Sequence, residues 1–520
     1  MKHKTLAIAI AVLLVLSMAA PALASPPYPE GDEPAVVQPE GVKPFDPRPV
    51  KPFDWPNPKD YQRVQERMRL LEAGKVAEAN ALATTGEDRV LVILVEFAGQ
   101  DEFVWQAPTV PYSYTTGSMW DPLGIADPTE YTGEVGDCTN ILQKIADAKG
   151  LTITDTWGMT FTFNYEGPQH NMIMRPISTT DRSGDTIWTD DFDKDWFTDF
   201  MFGNGVEISY TFQSGETMYA NFLGQSVKDY YTDMSSGMYT ITGDVIGWLG
   251  LPHSTWYYDA DQCPGARSGV RTSRGAIPGA GDARQLVRDA LDAVNAISDT
   301  IAGFDWANYD QDGDGIIDRL WIVHAGLGEE DSTTLLNRYP VTGTARTITY
   351  PAAFYGESAV WSHSSSVTPP YSVTKDIAVG PYIIMPENGG IGVFAHEYGH
   401  NLGAWDLYAY GYGETSAGFW ALQADDWTGY PIGFEPPAPD AMHLDMWGWL
   451  DPLVVTDTSK TYEAYLGQAS YFDTNTAPEK AYRGVKIVLP KGRIDLPSPV
   501  WGGDYYWWGG KTDLANASMT

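Results

Sequence analysis

The chain has 520 residues, enough for two or three domains and a sizeable core. Hydrophobic residues make up 43% of it, with 19 Trp and 30 Tyr, which excludes disorder over most of its length. Acidic residues outnumber basic ones 68 to 33, and the formal charge of −35 disfavours nucleic-acid or anionic-membrane partners.

Met1–Lys4 carries two lysines, LAIAIAVLLVLSMAA is an apolar core, and Ala22-Leu23-Ala24 is a small-residue cleavage site. This three-part pattern reads as a secretory signal peptide over residues 1–24 and predicts a secreted, extracellular protein. No later run is long and apolar enough to span a bilayer, so no membrane insertion is expected after cleavage. Cys138 and Cys263 are the two cysteines; one disulfide or two buried thiols both fit.

Residues 25–57 are rich in proline and acidic residues and read as an exposed, extended segment. Tyr61, Val64, Met68 and Leu71 then fall at helical spacing, which predicts an amphipathic helix up to about Ala83. In an exported chain such a segment is either a propeptide, here residues 25–86, or a plain linker and helix. RVLVILVEFAG (Arg89–Gly99) predicts a buried strand opening the main domain, and ARQLVRDALDAVNAI (Ala283–Ile297) predicts a helix.

In DQDGDG, Asp310, Asp312, Asp314 and the later Asp318 put carboxylates at the first, third, fifth and ninth positions of a loop. Gly315 supplies the sharp turn at the sixth, and hard oxygen ligands at this spacing fit Ca²⁺. Trp321 stands where an EF-hand needs glutamate, and IIDRLWIVHAG (Ile316–Gly326) reads as a strand, so a calcium loop is expected without an EF-hand.

PYIIMPENGGIGVFAHEYGHNLG (Pro381–Gly403) reads as strand, glycine-rich turn and helix. On that helix His396 and His400 lie about 40° and roughly 6 Å apart, so both imidazoles face one point, as a Zn²⁺ site requires. Glu397, beside the first histidine, is placed to act as general base on a water at the metal. Gly403 lets the helix end and turn, which could return Asp406 as a third ligand and leave the fourth position to water. His324, His363 and His443, with Tyr408, Tyr410, Tyr412 and Tyr430, are weaker candidates, read first as structural side chains.

The elements predict an α+β domain from about Glu87 to Leu453. TYEAYLG, RGVKIVLP and DYYWWGG then read as short strands of a β-rich C-terminal region over residues 454–520.

HEYGHNLGAWDLY resembles the HExxHxxGxxD signature of the M6, immune inhibitor A-like, family of secreted metallopeptidases. The likeness extends to SVKDYYTDMSSGMYTITGDVIGW (Ser226–Trp248), DQDGDGIIDRLWIVHAG, VWSH (Val360–His363), GWLDP (Gly448–Pro452) and VKIVLP, over most of residues 87–520. It implies a zinc-dependent endopeptidase with a metzincin-like zincin catalytic domain, a mixed sheet, an active-site helix, a propeptide and bound calcium. On matching positions it makes His396, His400 and Asp406 zinc ligands and Glu397 the general base.

Protein or peptide substrates follow from the resemblance. In the expected propeptide an Asp or Glu could take the water position, whereas the absence of cysteine there excludes a thiolate latch. In FWALQADDW, Gln423 stands where the family leads us to expect a methionine beneath the metal, and a polar amide there needs hydrogen-bond partners. The chain stops at ANASMT inside what reads as a continuing block, and the resemblance implies further β-rich domains. Two rival readings share these residues: an inactive calcium-dependent binding or adhesion module on the same scaffold, and a zinc hydrolase of non-peptide amides.

Overall fold

The computed structural model describes residues 54–106, 160–175 with breaks at 167 and 174, 187–258, 282–328, 360–408, 417–424, 433–450, and short pieces between 452 and 487. Both cysteines, the expected signal peptide, Tyr410, Tyr412, Tyr430 and the DYYWWGG strand lie outside the described residues.

The chain enters as an extended segment from Asp54 and forms helix α1 (Pro58–Glu72), then a short α2 (Val76–Asn80). Proline at the start of α1 and the Asn57 side chain, which accepts the Lys59 N–H at 3.1 Å, set the helix start. The helix ends before Ala83, because Gly74 takes a left-handed conformation after Ala73. Its buried stripe is Asp60, Val64, Arg67 and Leu70, so Leu70 turns inward where spacing had favoured Leu71.

Strand β1 (Gly86–Phe97) follows, then the antiparallel pair β2 (Gln100–Gln106) and β3 (Thr160–Glu166). Helix α3 (Lys194–Met201), hairpin strands β4 (Glu207–Thr211) and β5 (Thr217–Asn221), and α4 (Val227–Met234) come next. The long β6 (Tyr239–Leu251) precedes α5 (Ala283–Ile297) and β7 (Leu320–His324). Strands β8 (His363–Ser372) and β9 (Ala378–Pro386) lead into α6 (Ile391–Asn401) and α7 (Ala441–Trp447). Short parallel pairs join β10 (Leu453–Val455) to β13 (Val485–Ile487) and β11 (Tyr465–Leu466) to β12 (Ala481–Tyr482).

The central sheet has the order β6-β1-β7-β9-β8 and is mixed, as expected: the first four strands are parallel and β8 closes the edge antiparallel to β9. Strand side chains alternate between two cores. Val90, Val92, Leu94, Trp321, Val323, Ile383 and Met385 pack on the side of α6, which contributes Phe394, Ala395 and Tyr398. Leu91, Ile93, Val95, Leu320, Ile322, Tyr382 and Ile384 pack on the opposite side against Leu286, Val287, Leu291 and Val294 of α5. Burial on both faces explains the near-continuous apolar runs in β1 and β7.

Helix α1 is tied to this framework through a buried ion pair. Asp60 bonds Arg319 at 2.6 Å, and Arg319 Nε bonds Asp88 at 2.7 Å. Burial raises the Asp60 pKa, but Arg319 and Arg63 outweigh it and hold the carboxyl below its ordinary value. Deleting Asp60 leaves the buried Arg319 guanidinium with Asp88 alone and its other nitrogen without an ion-pair partner. Asp60→Ala should therefore cost about 3 kcal/mol, read as a lower urea midpoint; an unchanged midpoint would show that α1 is not fastened here.

Candidate metal centre

Helix α6 is buried along its whole length, polar residues included. Its N-terminus follows a glycine turn for a steric reason: a Cβ on Gly390 would lie 2.5 Å from the Gly433 carbonyl, so two backbones touch there. The Gly392 N–H donates to Gly433 O at 2.6 Å across that contact. At the other end Gly403, with φ +91°, turns the chain back toward Asp406.

His396 and His400 are 1% and 0% exposed, with ring centroids 4.9 Å apart. Their Nδ1 atoms lie 3.0 Å from the carbonyl oxygens of Leu422 and Ala404 respectively. A carbonyl only accepts, so each Nδ1 carries a proton and donates, and Nε2 is the nitrogen that each ring in its neutral form offers to a metal. Those Nε2 atoms converge on Asp406 Oδ1, at 3.0 Å from His396 and 3.5 Å from His400. The Asp406 side chain is fully buried.

Four residues, Asp54, His396, His400 and Asp406, each bring one ligand atom within 4.8 Å of all the others. Glu397, 1% exposed, adds a carboxylate whose charge acts on both His400 and Tyr408. Three buried carboxylates around two imidazoles call for a cation, and imidazole nitrogen with carboxylate oxygen is a donor set that suits zinc. The residues fit a divalent metal. Burial disfavours a charged His400, yet Asp406 outweighs it and lifts the imidazole to about 9, so the pocket favours positive charge at this nitrogen.

Of the weaker candidates, Tyr408 lies here: its ring stacks on His396, with centroids 6.2 Å apart, and its hydroxyl donates to Asp54 Oδ2 at 3.4 Å. His443 instead holds the ligand turn, its Nδ1 bonded to Asp440 and its Nε2 accepting the Trp405 N–H at 3.2 Å. His363 bonds Trp361 O and Tyr382 Oη, and His324 bonds Ala325 O; neither belongs to the ligand group.

Gln423 lies against the pair of histidines, fully buried. Its Nε2 donates to His396 O at 3.1 Å and stands 3.4 Å from His400 Nε2, while its Oε1 has no hydrogen-bond partner among the described residues. Gly399 makes room for it, since a Cβ there would sit 2.7 Å from Oε1. The amide thus faces the nitrogen that a metal would use. Gln423→Met should tighten zinc binding about threefold to tenfold, the worth of one competing hydrogen bond, in a titration against a chromophoric chelator. Weaker binding in the variant would mean that the amide supports the site instead.

In the acidic loop Asp310, Asp312 and Asp318 converge, with one oxygen from each within 4.8 Å of the other two. Asp314 is outside that group: its Oδ1 accepts the Ile316 N–H at 2.9 Å and its Oδ2 faces Lys59. The Lys59 ammonium also reaches Asp312 and Asp318. Strand β7 follows the loop, as expected for something other than an EF-hand.

Two histidines on a buried helix, with a carboxylate returned by the next turn, form a group that could hold a metal ion on a mixed α/β domain. Residues 149–447 match the family described as immune inhibitor A peptidase M6, catalytic domain, and the chain belongs to that family of peptidases. Immune inhibitor A from Bacillus thuringiensis subsp. alesti is 27% identical over 370 residues, 66% of this chain and 47% of the relative. The pre-pro-metalloprotease PrtV of Vibrio cholerae serotype O1 (strain M66-2) is 28% identical over 272 residues, 48% of this chain and 25% of the relative. The chain thus matches about half of the first relative's length and a quarter of the second's.

Proposed function

We propose that the chain is a secreted zinc-dependent endopeptidase that hydrolyses peptide bonds in extracellular proteins, built on a metzincin-like zincin domain. The observation that carries this reading is the convergence of the two Nε2 atoms on Asp406, with both Nδ1 atoms tied to backbone carbonyls. His396, His400 and Asp406 hold the metal, which supplies Lewis acidity when bound. Glu397 takes the proton of the attacking water and delivers it to the departing amine. The Tyr408 hydroxyl, already on the ligand side of His396, donates to the oxyanion that develops on the scissile carbonyl. An extended substrate lies along the edge of β8, where Trp55 N–H donates to Ser364 O at 3.0 Å.

Asp310, Asp312, Asp314 and Asp318 form a calcium loop that stiffens the start of β7; three converging carboxylates and the lysine drawn to them support a demand for positive charge there. Residues 1–24 act as a signal peptide, residues 25–86 as a propeptide, 87–453 as the catalytic domain and 454–520 as the start of a β-rich region. No helix among the described residues is long and apolar enough to cross a membrane.

Casein hydrolysis by the processed protein, measured beside Glu397→Ala with zinc content for both, tests the reading. The variant should lose about a thousandfold in rate while about one zinc per chain remains. Equal rates would remove Glu397 from the mechanism. Zinc retained in a wild type that cleaves no protein or peptide would favour the binding module or a hydrolase of non-peptide amides.

A further inference from the structure

We propose that Asp54 is a fourth ligand of the metal centre in a latent form of the protein, holding the position that an active centre leaves to water. The inference rests on the metallopeptidase reading of the site and goes beyond it, because it assigns the ligand that keeps the centre closed and the device that fastens it. A hydrolytic centre has three protein ligands and one open position, whereas a fourth carboxylate closes it.

Asp54 is fully buried, and one of its oxygens lies within 4.8 Å of the ligand atoms of His396, His400 and Asp406. Its two oxygens have separate anchors: Oδ1 accepts the Ser364 N–H at 2.8 Å, and Oδ2 accepts the Tyr408 hydroxyl at 3.4 Å. Both anchors belong to the machinery assigned above to substrate. Ser364 lies on the edge strand, and Tyr408 is the oxyanion donor, so Asp54 engages the centre, the cleft edge and the hydroxyl together.

The next residues hold the carboxylate in place. Trp55 makes two bonds to Ser364, its N–H to the carbonyl at 3.0 Å and its carbonyl from the Ser364 hydroxyl at 2.9 Å. The Asn57 N–H donates at 2.9 Å to the carbonyl of His400, itself a ligand residue. Asp60 pairs with buried Arg319, and Lys59 bridges Asp312, Asp314 and Asp318. Gly403 is required on the other side of this contact: a Cβ there would lie 3.0 Å from the Asp60 carbonyl carbon. Tyr61 meets Trp405 edge to face at 5.3 Å, directly beside Asp406.

Helix α1 is therefore a fastener whose N-terminal extension delivers one carboxylate to the metal. A tethered ligand competes at an effective concentration on the order of millimolar or more. Small ligands should consequently be excluded while Asp54 is present.

The test uses the full chain with Co²⁺ in place of zinc, read by its visible d–d absorption during titration with azide. Wild type should need at least about tenfold more azide than Asp54→Ala to show a spectral change. Asp54→Asn, which keeps the shape and the Ser364 contact but loses the charge, should behave like the alanine variant and guards against a folding defect. Both variants should also hydrolyse casein without prior processing. Identical azide responses in wild type and both variants, with Co²⁺ bound in all, would overturn the assignment of Asp54 while leaving the metal centre intact. Failure of wild type to bind Co²⁺, with His396→Ala indistinguishable from it, would overturn both readings.

Discussion

Two imidazoles buried in one pocket share a point only if each ring's second nitrogen is held, and here backbone carbonyls do the holding. The Leu422 and Ala404 oxygens set both tautomers and both ring planes. Each carbonyl depends on its own support. Leu422 N–H bonds Ala438 O, Leu407 N–H bonds Gln423 O, and Ala404 N–H bonds Gly399 O. The site is thus an outcome of three chain segments meeting beneath α6, with the sheet behind that helix giving them a rigid floor.

Charge explains much of the remaining organisation. The chain is strongly acidic, and several of its buried contacts gather carboxylates around scarce cations. Arg319 serves Asp60 and Asp88 together, and Asp88 also accepts the Tyr239 hydroxyl at 2.8 Å. Lys59 serves three aspartates of one loop. At the candidate metal centre Asp54, Glu397 and Asp406 face two imidazoles, and a divalent ion would balance them. The stretch from Asp54 through Asp60 touches all three places, so losing it would expose Arg319, the acidic loop and the Ser364 edge of β8 together.

What was legible in the sequence was local. Residues 283–297 alternate with a helical period and form α5 over those same residues. The apolar run from Arg89 is a central strand, and His396, Glu397 and His400 lie on the predicted helix because four-residue spacing has one geometric meaning there. Asp406 reaches the histidines through the turn that Gly403 permits. The order β6-β1-β7-β9-β8 was not legible, since parallel strands pair across long crossovers that spacing does not encode. Nor was Asp54 distinguishable from other acidic residues of its segment, because its contact with Ser364 spans 310 residues of chain. Gln423 was visible as a departure from the family pattern, but its N–H directed at His400 and the space left by Gly399 emerged only in three dimensions.

The most direct measurement is an anomalous difference map at the zinc absorption edge from crystals of the full chain. A zinc ion held by this group should give one strong peak about 2.0–2.2 Å from the Nε2 atoms of His396 and His400 and from an Asp406 oxygen. A peak elsewhere, or density showing those Nε2 atoms turned apart around no metal in zinc-replete crystals, would contradict this assignment.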